Sequence, residues 1–134
     1  MAKLTADVKK ALHKIKLFPF ATSSGSGTPN VIPVKFVFIE KDTELWIIDN
    51  FMSKTIDNMT QNPKAALYVY DDDINTCCQI KGNVSIQTSG VNYDRMRRNI
   101  HKLFPDAPAK SLVVMNVTDI YQCAPGPDSG KRIN

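Results

Sequence analysis

"LFPFATSSGSGTPNVIPVKFVFIEKDTELWIID", residues 17–49, holds three apolar runs separated by very short breaks. Leu17 to Ser23 reads as a strand. Ser24-Gly25-Ser26-Gly27 reads as a turn, because two glycines supply the backbone freedom of a reversal. Pro29 to Glu40 reads as a second, longer strand, Lys41-Asp42-Thr43 as another turn, and Glu44 to Ile48 as a third strand. A parallel neighbour needs a crossover of a dozen or more residues, usually a helix. Neither break has room for one, so these strands pair antiparallel.

The rest of the chain extends that frame. Leu4, Val8, Ala11, Leu12 and Ile15 recur every three or four residues, the period of an amphipathic helix, with Thr5 placed to cap it. Phe51 to Asn62 suits a short helix that buries Ile56 and Met59 and stops before Pro63, since a residue preceding proline avoids helical geometry. Ala65 to Asp71 and Cys77 to Thr88 read as strands four and five, the latter bulged near Gly82. Val91 to Leu103 reads as an amphipathic helix with Tyr93, Met96, Ile100, Leu103 and Phe104 on one side. Ser111 to Asp119 is strand six. The pattern predicts a mainly β, α+β domain: a six-stranded antiparallel barrel with a few short helices. Residues 1–123 form one domain in this reading, and residues 124–134 a flexible tail.

Composition narrows the function classes. The 134 residues are 43% hydrophobic and 22% charged, a globular balance. The net charge of +4 favours an anionic ligand. The 17 lysines and arginines are dispersed rather than massed on one segment, which argues against a nucleic-acid partner. No run approaches the roughly 20 apolar residues of a membrane span, and the N-terminus lacks the apolar stretch of a signal peptide. Cys77, Cys78 and Cys123 are odd in number, two are adjacent, and no C-x-x-C occurs. Neither a disulfide framework nor a zinc site follows, and a reducing cytoplasm is the expectation. His13 and His101 stand apart without ligand spacing, so no metal site is expected. Trp46 is expected to fill the barrel core. No order of residues suggests a catalytic triad or dyad.

"DNFMSKTIDN", residues 49–58, carries the chemistry. If a helix begins near Ser53, its first amides lack partners inside the helix and carry partial positive charge. Lys54 adds a full charge and Thr55 a hydroxyl, a corner suited to phosphate. Capping by Ser53 beside a solvated Lys54 is the alternative reading of the same residues.

Three stretches in order, "FATSSGSGTPNVIPVKFVF", "LWIIDNFMSKTIDNMTQNP" and "QIKGNVSIQTSG", resemble the split-barrel flavoproteins, the superfamily of pyridoxamine 5'-phosphate oxidase and the small FMN-binding proteins. The resemblance covers Phe18 to Asp119. It implies a split barrel and a homodimer with FMN at its interface. By likeness Ser53, Lys54 and Thr55 would hold the phosphate, while Pro33, Val34 and Lys35 would run beside the ring. Ile48, Asp49 and Asn50 would line the same groove, and Gln79 would face it, from either subunit. The implied activity is an FMN-dependent oxidoreductase; the alternatives are a non-catalytic FMN electron carrier, or a sibling binding deazaflavin or haem. In such proteins the cofactor performs the electron chemistry, so no catalytic side chain is assigned. The closing "CAPGPDSGKRIN" departs from the Arg-x-His pattern of true pyridoxamine 5'-phosphate oxidases, which argues against that substrate.

Overall fold

The computed structural model describes residues 2–73 and 76–133. Met1 and Asn134, the ends of the expected domain and tail, lie outside the described residues. Three helices and seven strands follow one another as α1 (Ala6–Lys14), β1 (Phe18–Ser23), β2 (Pro29–Val34), β3 (Val37–Lys41), β4 (Glu44–Asp49), α2 (Lys54–Gln61), β5 (Lys64–Asp71), β6 (Thr76–Gln87), α3 (Val91–Leu103) and β7 (Ser111–Gln122). The long strand expected from residue 29 to 40 is two strands, broken at Lys35 and Phe36. Neither residue is a glycine or proline, so no turn chemistry at these two positions announced the break.

The strands form one sheet in the order β2-β1-β5-β6-β7-β4-β3, antiparallel throughout. Its edges, β2 and β3, are consecutive in sequence. Laid flat, a sheet of this width would hold its edge strands about 29 Å apart at the usual strand spacing. The step from Val34 to Val37 reaches at most about 11 Å. The sheet therefore curls into a barrel whose seam, between β2 and β3, is not closed by a ladder. Pro33 sits on edge strand β2 opposite Pro19. Neither residue has an amide hydrogen, so this rung carries no exchanged bonds, a position an edge strand tolerates.

Burial follows the curl. Phe18, Phe20, Leu45, Ile47, Leu67, Ile80, Met115 and Ile120 fill the interior. α1 packs Val8, Ala11 and Leu12 on this core. Thr5 caps α1 as the pattern suggests, accepting from the Val8 amide at 3.3 Å. β4 is buried on both faces, which accounts for its unbroken apolar run. Leu45 and Ile47 point into the barrel; Trp46 and Ile48 pack outside it, with Met96 and Ile100 of α3 and with Leu112 and Val114. Trp46 is thus buried, but beneath α3 rather than in the barrel core. On α3, Leu103 is 66% exposed and falls outside the expected apolar stripe.

The expected bulge at Gly82 is present: the β6–β7 register shifts between Lys81 and Gly82. A Cβ there would lie 2.4 Å from the Asn116 carbonyl oxygen, so the two backbones approach as only glycine permits. Beyond β7 the chain turns back, and the Gln122 amide donates to the Lys131 carbonyl at 2.8 Å. No helix among the described residues is long and apolar enough to cross a membrane.

Candidate functional site

A groove of about 550 Å³ runs along the seam, within the range of small-molecule sites. One wall is β2 from Asn30 to Val34, continued by Lys35 and Phe36. The other is Ile48 and the segment from Asn50 to Thr55. The inward alternation of β2 supplies Asn30, Ile32 and Val34; Val31 alternates outward and is 65% exposed.

Asp49 fixes the second wall. Its buried carboxylate accepts the Met52 amide at 2.9 Å on one oxygen and the Ser111 hydroxyl at 2.8 Å on the other. An aspartate bonding an amide a few residues on is a turn device, and here it bends the chain off β4 so that α2 starts at the groove. Asn50 continues the brace, accepting the Ala109 amide at 2.8 Å. Ala109 is itself held, because Arg97 of α3 donates to its carbonyl at 2.8 Å.

α2 is anchored by buried polar groups. Thr22 of β1 is the hub: its hydroxyl oxygen accepts from Asn58 at 3.1 Å and from Asn30 at 3.4 Å. Asn30 also donates to the Thr55 hydroxyl at 3.0 Å. At the N-terminus of α2 the Ser53 side chain makes no capping bond. The amides of Lys54 and Thr55 have no acceptor among the described residues. Neither Lys35 nor Lys54 pairs with a carboxylate among the described residues. The groove therefore carries one uncompensated ammonium on β2's continuation and a second beside open helix amides, a combination that attracts an anion.

Of the residues expected from sequence, the fold brings together Pro33, Val34, Lys35, Ile48, Asn50, Ser53, Lys54 and Thr55 around this one groove. Asp49 lies beneath the wall and shapes it from below. Gln79 is elsewhere: it is exposed on β6, in register with Tyr68 and Tyr121. Beyond the residues named from the resemblance, the groove takes in Asn30, Ile32, Phe36, Phe51 and Met52. A polar residue at an inward position of an alternating strand was the available signal for Asn30. Phe51 had none; it is 84% exposed at the rim. Phe36, Asn50 and Phe51 also border a second hollow of about 430 Å³, which Phe104 and Pro105 extend.

An antiparallel barrel left open along one seam, with an anion-ready helix start at that seam, defines a split-barrel protein. The chain belongs to the pyridoxamine 5'-phosphate oxidase family, which it matches over residues 4–124. It is 36% identical over 137 residues to the uncharacterized protein MJ0282 of Methanocaldococcus jannaschii, covering 99% of this chain and 89% of that one. The crystal structure of HupZ from Group A Streptococcus superposes with a TM-score of 0.81 at 22% identity, covering 95% of this chain and 99% of HupZ. The fold also matches an FMN-binding protein of Syntrophomonas wolfei (TM-score 0.67, 15% identity, 86% and 82% of the two chains). It matches as well the haem storage protein HutZ of Vibrio cholerae (TM-score 0.67, 12% identity, 90% and 95%).

Proposed function

We propose that the seam groove binds FMN and that the protein is an FMN-dependent oxidoreductase acting as a homodimer with the cofactor at the subunit interface. The observation that carries this reading is the uncapped start of α2, with Lys54 beside it, at one end of a groove walled by Ile32, Val34, Ile48 and Met52. That is the polarity of flavin mononucleotide: a flat, largely apolar ring on a phosphate-terminated chain.

In this reading Lys54, Thr55 and the α2 amides hold the phosphate. The ring lies between the edge backbone of β2 and the side chains of β4 and its following turn. Bound FMN would supply the transfer of electrons or a hydride; the protein's own residues bind it, orient it and exclude water. Asp49 and Asn50 keep the second wall in place, and Lys35 adds positive charge on the β2 side. The adjoining hollow offers room for a substrate next to the cofactor. Val31 and Phe51, apolar and exposed on either side of the seam, support a second subunit covering this face.

The test is direct. The purified protein, supplied with FMN, should retain the flavin absorbance after gel filtration and should bleach on anaerobic mixing with NADH or NADPH. Bleaching only by a reduced partner protein would make it an electron carrier. HutZ gives a reason to run haem in parallel: a protein that ignores FMN but retains haem or a deazaflavin would replace the reading with that of a sibling.

A further inference from the structure

We infer that Cys77 and Cys123 form a reversible disulfide, which makes the far end of the β6–β7 ladder a site of oxidation by small disulfides. Their sulfurs lie 3.3 Å apart. The pair is not incidental to the fold. Cys78 stands opposite Gln122 in the ladder, so the next rung places Cys77 opposite Cys123, and the Cys123 amide donates to the Cys77 carbonyl at 3.0 Å. A hydrogen-bonded antiparallel rung holds its Cα atoms about 5.5 Å apart, the separation at which disulfides are most common. Both thiols are half-buried, so a small reagent can reach them.

A metal suits the site less well. Two thiolates bound at about 2.3 Å in a tetrahedral site stand wider apart than these sulfurs. No group of three or more metal-binding side chains occurs among the described residues. Cys78 is no rival partner either: it faces the core, fully buried, where burial pushes its thiol up to about 12.

The exchange balances with a low-molecular-weight disulfide as oxidant. Burial, followed by the contact with Cys77, pushes the Cys123 thiol up to about 12, which makes it a poor first attacker. The first bond therefore forms at Cys77, whose sulfur lies 3.4 Å from the Tyr68 hydroxyl, a donor available to a thiolate. The Cys77 thiolate attacks one sulfur of the small disulfide and expels the other half as thiolate. The Cys123 sulfur then attacks Cys77 and expels the remaining half. Two electrons pass to the oxidant, and both cysteine protons go to the departing thiolates.

Equilibration of the folded protein with oxidised glutathione, followed by alkylation and peptide mapping, tests this. The wild type should lose two of its three alkylatable thiols and yield a cross-linked peptide lighter by two hydrogens. Fragmentation between residues 77 and 78 should assign the link to Cys77. Cys78→Ala should behave alike, while Cys77→Ser and Cys123→Ser should give no internal cross-link. Retention of all three thiols, a link through Cys78, or a link between chains would overturn the proposal.

Discussion

Lys54 and Thr22 stand at opposite ends of the chemistry of α2. Lys54 is exposed beside open amides, so its loss should cost ligand binding rather than folding. A charge-assisted hydrogen bond is worth about 1.5–3 kcal/mol, and Lys54→Ala should therefore weaken FMN binding by about one to two decades. Quenching of flavin fluorescence in a titration measures this, and an unchanged affinity would sink the phosphate assignment. Thr22 is the reverse case. Its hydroxyl receives the buried Asn58 amide, which Thr22→Val would leave without that acceptor. We expect a loss of about 1–3 kcal/mol in urea denaturation. Lys35 belongs with Lys54: exposed, unpaired with any carboxylate among the described residues, and on the groove wall. If its charge stabilises the reduced flavin, Lys35→Met should lower the midpoint potential in potentiometry; no change would leave it a solvated side chain.

Among the elements, β6 and β7 approach closely at Gly82. Gly82 does not take a left-handed φ, and its need is for space against the Asn116 carbonyl. That contact is backbone on both sides, so no side chain can yield. Gly82→Ala should force the bulge open and cost well beyond the roughly 0.5 kcal/mol within which ordinary surface changes fall, read as a lowered denaturation midpoint. α2 shows how an element can be legible while its partners are not. Its end before Pro63 followed from backbone sterics and is where the structure places it. Its tie to β1 through Asn58 and Thr22 joins residues 36 apart in sequence, a separation no local pattern encodes.

For the molecule as a whole, the groove lies at the seam between the two edge strands, where a bound ligand would bridge parts of the chain that no ladder joins. Binding there should stabilise the fold by mass action: at one hundred times the dissociation constant, about 2.7 kcal/mol, read as a higher melting temperature with FMN than without. Light scattering of the FMN-loaded protein should give twice the chain mass, and a monomer mass would contradict the interface arrangement.

The sequence by itself determined the antiparallel, mainly β class, the three helices, the Gly82 bulge and the anion-suited stretch from Ser53 to Thr55. Each depends on periodicity, turn chemistry or sterics within a few residues. Only the tertiary structure decided that the strand from residue 29 to 40 breaks at Lys35, because closing the curl demands the step from one sheet edge to the other. It also decided that Trp46 packs under α3, that Asp49 braces the wall instead of lining it, and that Cys77 meets Cys123. These are matters of which distant segments share a face, and that is fixed by how the sheet closes.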